Sequence, residues 1–249
     1  MTELAGKLQG GTSRANPSTT LPGHWRQAAW FVGITAVAFL VPFLFTSELS
    51  LDHDLYYLVY FAATVVVLSA YVFFTGFDLK AFVLQNWRLS LLIGAASTAF
   101  VVWNVLARND STPRPDGTYF AFELAWRGVA YGIIDALLLT AFPGMVAFSL
   151  LNREVRGVAR RLSFSALALF MVLIITAAYH LGYAQFREDG VRAPELGNTI
   201  ISVPLLVSVN PVGSVVANAS MHVAAVAHAY ETDVFLPPQT SADQNGVVT

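Results

Sequence analysis

The chain has 249 residues, of which 55% are apolar and 12% charged, with a formal net charge of −2 and no cysteine. Soluble domains carry about a quarter charged residues, so this composition excludes an ordinary water-soluble fold and makes a bilayer the natural solvent. Near-neutral charge without a basic tract excludes a nucleic-acid partner, and the missing cysteine excludes disulfides, thiol catalysis and cysteine-held metal.

Residues 1–24 mix Gly, Ser, Thr and Pro with a few charges and show no periodicity, which predicts a disordered tail. This stretch is not a signal peptide: the first apolar block is of spanning length and ends in Phe43-Leu44-Phe45-Thr46 without a small-residue cleavage site. A spanning helix needs roughly 20 mostly apolar residues, and that template predicts spans over 25–46, 54–75, 88–107, about 120–150 and 162–184. A further apolar stretch from Asn198 to Tyr230 is interrupted by Asn210-Pro211-Val212-Gly213. Proline lacks the amide proton, so the helix is predicted to break there into two, the first short or re-entrant. Residues 233–249, opening Asp233-Val234-Phe235-Leu236-Pro237-Pro238, read as a second disordered tail. The expected fold is all-α, a polytopic transmembrane helix bundle of six to seven spans forming one domain over 25–232.

Basic residues of short loops collect on the cytoplasmic side. Lys7, Arg14 and Arg26 precede the first span, Lys80 and Arg88 separate the second and third, and Arg153, Arg156, Arg160 and Arg161 follow the fourth. By parity all three clusters share a face, which predicts a multi-pass cell-membrane protein with a cytoplasmic N-terminus.

Charges at the bilayer centre are costly, so the ionisable residues within the spans are the informative ones. Glu123 and Arg127 open the fourth span, Asp135 lies deeper in it, His180 ends the fifth, and His222 and His228 lie on the last. Glu123 and Arg127, one turn apart, share a helix face and can pair, the ordinary outcome being an interfacial anchor. His180 taken alone is an ordinary packed imidazole. Parity nevertheless places Glu123, His180 and His222 on one side, with His222 somewhat deeper, so that three helices can contribute to one pocket. A carboxylate and two imidazoles suit a metal-free site that activates water and holds an oxyanion, or, less well in the absence of a compact metal motif, a zinc ion. Asp135, about 18 Å along the axis from Glu123, is expected to bond within the bundle.

Phe122-Glu123-Leu124-Ala125-Trp126-Arg127-Gly128 resembles the E-E-x-x-x-R-G signature of the CAAX protease and bacteriocin-processing family of intramembrane glutamate proteases. Ala178-Tyr179-His180-Leu181 resembles the second motif of that family, and Gly213-Ser214 followed two turns on by Met221-His222-Val223 resembles the third. The resemblance covers about Phe120 to Tyr230, with the motifs in the family's order. It implies Glu123 as the second glutamate of the pair, Arg127 as its structural partner, His180 as the water-activating histidine and His222 as the oxyanion donor. The chain departs from the pattern at Phe122, where the first glutamate would stand, at Thr176, where an aromatic residue would open the second motif, and at Val226, where an Asn or Asp would follow the second histidine.

Three functions follow as expectations. The first is a metal-independent intramembrane peptidase using Glu123, His180 and His222, with no cofactor. The second is a catalytically inactive relative, a partner-binding, immunity or maturation factor in the membrane, since fold does not fix function. The third, less favoured, is a small-solute or ion carrier built on Asp135 and the Asn210–Gly213 break. The expected partners are membrane lipids and a peptide substrate or a membrane protein.

Overall fold

The computed structural model describes residues 23–232, so both tails expected from the sequence lie outside the described residues. The described chain is all helix, with no strand among the described residues. Five helices are long and apolar enough to cross a membrane: α1 (Gly23–Glu48), α2 (His53–Thr75), α4 (Trp87–Arg108), α5 (Gly117–Leu150) and α6 (Val158–Leu181). Between them lie two short helices, α3 (Leu79–Leu84) and α7 (Ala184–Asp189), and the apolar C-terminal stretch forms α8 (Arg192–Ser208) and α9 (Val212–His228). Five helices of spanning length and the two 17-residue helices α8 and α9 thus form the bundle among the described residues.

Local chemistry sets the boundaries. Asp52 caps α2 by accepting from the Leu55 amide at 3.0 Å, and Gly76, left-handed at φ 58°, ends it. Asp78 caps α3 through the Ala81 amide at 2.8 Å. In α1 the helix widens over Phe43–Glu48, directly after Pro42, and the Thr46 hydroxyl donates to the Pro42 carbonyl at 2.6 Å. Widened turns also occupy Leu124–Ala130 and Leu137–Ala141 of α5, on either side of Asp135. Such turns re-aim side chains and recur at functional sites.

Helix α5 is the centre of the bundle: 67% of its most apolar stretch is buried, against 22–39% in the other four spanning-length helices. It can be central because glycines let α9 lie directly on it. A Cβ on Gly128 would meet Val223 at 2.9 Å and one on Gly132 would meet the Ala219 Cα at 2.6 Å. Helix α4 approaches α9 in the same way through Gly94, which faces Gly213. In lipid, small residues that admit close backbone contact replace the hydrophobic drive of a soluble core.

The predicted break between α8 and α9 is present, and its exposed backbone groups are answered by side chains. Val209 ends α8 in the left-handed conformation at φ 60°, unfavourable for a branched residue. Asn210 holds the break in place: its side-chain amide donates to the Val83 carbonyl at 2.7 Å and the Gln85 carbonyl at 2.5 Å, and its Oδ1 accepts from the Val212 amide at 2.9 Å. The Ser90 hydroxyl donates to the Asn210 carbonyl at 2.8 Å, and Gln85 donates to that of Val209 at 2.9 Å. The break is thus tied to the α3–α4 junction, the condition under which irregular backbone survives inside a membrane bundle.

Candidate functional site

Glu123 lies at the α5 end nearest the α9 C-terminus and is fully buried. Its carboxylate is 2.5 Å from Arg127 Nε, one turn along. The Arg127 guanidinium also lies over the Tyr230 ring, 5.9 Å from its centroid. Burial and the adjacent Glu123 carboxylate push the Tyr230 phenol up to about 12. The expected pairing of Glu123 with Arg127 is therefore present. Phe122, the neighbour of Glu123, is 50% exposed and stacks on Trp126 with centroids 6.3 Å apart. Trp126 in turn donates its indole proton to Asp54 at 3.2 Å, fixing α5 against the start of α2.

His180, at the end of α6, points its Nδ1 back to the Thr176 carbonyl at 2.8 Å. The edges and faces of Tyr179 and Phe186 enclose its ring, with centroids 5.1 and 4.8 Å away. Thr176 is used twice, because its hydroxyl also accepts from the Asn198 side chain at 2.7 Å and so joins α6 to α8. A phenylalanine or tryptophan at this position could not accept that second bond.

His222 faces the bundle interior two turns before the end of α9. Its Nε2 is 4.0 Å from Asp135 Oδ2, and its ring stands edge-on to Tyr131 at 4.8 Å. Both of its ring nitrogens are buried without a hydrogen-bond partner. Asn218, one turn earlier on α9, donates to Asp135 Oδ2 at 3.0 Å and to the Gly132 carbonyl at 2.9 Å, while its own Oδ1 is buried and unpartnered. Tyr60 from α2 donates to Asp135 Oδ1 at 3.2 Å. Asp135 is thus bonded within the bundle, as expected, with His222 beside it.

Of the three motif residues, Glu123 is paired with Arg127 and His180 with the Thr176 carbonyl, while His222 faces Asp135 at 4.0 Å. No hydrogen bond or ion pair joins any two of the three among the described residues. Nor do three or more His, Cys, Asp or Glu side chains group closely enough to hold a metal among those residues.

The group that motif spacing does not reveal is a run of tyrosines. Tyr131 and Tyr179 share a hydrogen bond at 2.7 Å, Tyr183 donates to Tyr179 at 2.6 Å, and Tyr183 and Tyr56 lie 2.5 Å apart. All four phenols are buried, and they come from α5, α6, the α6–α7 link and α2. The one trace in the sequence is their helical spacing, Tyr56 with Tyr60 and Tyr179 with Tyr183, each pair one turn apart.

On the far side of α9 an apolar groove of about 560 Å³ runs between α4 and α5, lined by residues such as Thr98, Val102, Ile133, Ser220 and Val223. Its lining carries no ionisable group. Comparison with known protein families, with curated proteins and with solved structures finds no match for this chain.

Proposed function

We propose that this chain is a multi-pass cell-membrane protein built like the CAAX protease and bacteriocin-processing family, and that it binds a membrane peptide or protein partner without cleaving it. The observation that carries this reading is that Glu123 and His180 are each engaged by partners outside a common site. A water-activating site needs base and oxyanion donors about one hydrogen bond from a common point. Here the Glu123 charge is matched by Arg127, and His180 Nδ1 is engaged by its own helix. Phe122, unable to take a proton, is half-exposed and stacked on Trp126.

The test is hydrolysis by the purified chain in lipid nanodiscs, using internally quenched peptides with and without a membrane anchor. The expected turnover equals that of a Glu123→Gln/His222→Ala variant in the same discs. Wild-type turnover that disappears in His180→Ala and His222→Ala, with expression unchanged, would establish the peptidase instead.

The charge pattern supports a cytoplasmic N-terminus, which places the α3 region and the α5–α6 link inside and the α7–α8 region outside. Since the chain has no cysteine, single substitutions report topology without further engineering. A membrane-impermeant maleimide applied to intact cells is expected to label Glu195→Cys and to spare Lys80→Cys until the cells are opened. The reverse pattern would invert the orientation.

A further inference from the structure

Buried polar groups in native bundles find partners, and those left without one point to a role beyond packing. His222, 2% exposed, has two such nitrogens and Asn218 one such oxygen, and they surround Asp135. Among the described residues the basic side chain beside the Asp135 carboxylate is His222, at 4.0 Å. The other titratable groups facing the pair are Tyr60 from α2, Tyr131 from α5 and, one step behind them, Tyr179 from α6. No arginine or lysine pairs with the carboxylate among the described residues. An acid and a base at this separation, enclosed by an edge-on ring and by the Gly132 backbone, suit the smallest of ligands.

We propose that Asp135 and His222 form a proton-binding centre inside the bundle, and that the hydroxyls of Tyr56, Tyr183, Tyr179, Tyr131 and Tyr60 carry the proton to it. This proposal stands apart from the partner-binding reading, which rests on Glu123 and His180. The relay begins one turn inside α2, next to Asp52, His53 and Asp54 at the end of the bundle. Its first four hydroxyls are in hydrogen-bond contact, at 2.5, 2.6 and 2.7 Å in turn. Tyr60 supplies the last hop, for which its hydroxyl must swing to that of Tyr131, since no hydrogen bond joins the two among the described residues. Its ring packs on Tyr179 and Tyr131, with centroids 5.3 and 5.8 Å away, and its hydroxyl already donates to Asp135.

The step balances without a further reactant. A proton entering at Tyr56 displaces that phenol's own proton to Tyr183, and the displacement repeats along the chain, so every phenol ends neutral. The proton released by Tyr60 joins the Asp135–His222 pair. The pair passes from carboxylate with neutral imidazole to a state holding one more proton, either on the carboxyl or on the imidazole beside it. Its charge goes from minus one to zero, which lowers the penalty of keeping it inside a bilayer. The hydroxyls must then rotate back before a second proton can follow.

The experiment is infrared difference spectroscopy of the full chain in nanodiscs, following a jump from mildly alkaline to mildly acidic buffer. The wild type is expected to change in its buried-carboxyl or imidazolium bands, and this change should be absent in Asp135→Asn. Tyr179→Phe should keep the final amplitude of the change but slow its appearance by an order of magnitude, because the hydroxyl chain is cut while the site remains. If Asp135→Asn does not fold, isotope-labelled aspartate or histidine in the wild-type chain makes the same assignment. A wild-type spectrum without such a change, or with changes insensitive to both labels, overturns the centre. Tyr179→Phe proceeding at the wild-type rate overturns the relay.

Discussion

Arg127→Leu is expected to destabilise the bundle by about 3–5 kcal/mol, the cost of leaving a buried charge without its partner. Glu123 is fully buried and its carboxylate meets Arg127 Nε at 2.5 Å, so removing the guanidinium strands an anion where neither water nor lipid can solvate it. The double variant Glu123→Leu/Arg127→Leu should recover most of the loss, because two apolar residues of similar length replace a buried ion pair at little net cost. Denaturation midpoints of the two single variants and the double, measured in one detergent, check this. A near-neutral Arg127→Leu would mean that Glu123 has another source of compensation, and would weaken the view that Arg127 takes up its charge. The result also bears on function. A carboxylate whose only role is to pair with Arg127 can be deleted together with its partner, whereas a catalytic one cannot.

Hydropathy made most of this fold legible. The bilayer demands long apolar helices, and the spans read from the sequence agree with α1, α2, α4, α5 and α6 to within a few residues at most ends. The break at Asn210–Gly213 was legible because proline interrupts the hydrogen-bond ladder of a helix wherever it falls. Helices α3 and α7 were not legible, being too short to show a period. The widened turns of α5 were hidden as well, because their residues are as apolar as those of a regular helix.

The candidate site was legible only where its chemistry is local. The pairing of Glu123 with Arg127 follows from their one-turn spacing, and His222 lies beside Gly132, nine residues further along α5 than Glu123. What spacing within one helix does not contain is rotation about its axis and the neighbour across the gap. Asp135 is far from Glu123 along α5, yet it lies beside His222, because Gly128 and Gly132 let α9 come close at that level. Asn218 stands one turn before His222, whereas the position one turn after it holds Val226. Both positions lie on the same face of α9, and that face packs on α5. The tyrosines resemble the aromatic belts that line membrane interfaces, and only packing of distant segments shows them to be buried and bonded to one another.

The same close approach makes Gly213→Ala the other variant with a large expected effect, a loss of about 3 kcal/mol, at the upper end for overpacking. The added Cβ would overlap the carbonyl oxygen of Ser90 and come within 2.7 Å of its carbonyl carbon and 2.9 Å of Pro204 Cβ. No side chain can swing away to relieve this, since the obstacle is the backbone of α4. The Gly213 amide also donates to the Ser90 hydroxyl at 2.9 Å, a bond that displacing α9 would stretch. Pushing α9 off α4 would carry His222 and Asn218 away from Asp135, so the loss should reach the interior centre as well as the helix contact. Gly94→Ala should act likewise, its Cβ falling 2.6 Å from the Gly213 Cα, while Gly33→Ala on α1 meets nothing within 4 Å and serves as the neutral control. The midpoints of thermal unfolding in nanodiscs separate these cases. If Gly213→Ala and Gly33→Ala unfold together, α9 is not held against α4 by backbone contact, and the placement of His222 beside Asp135 loses its support.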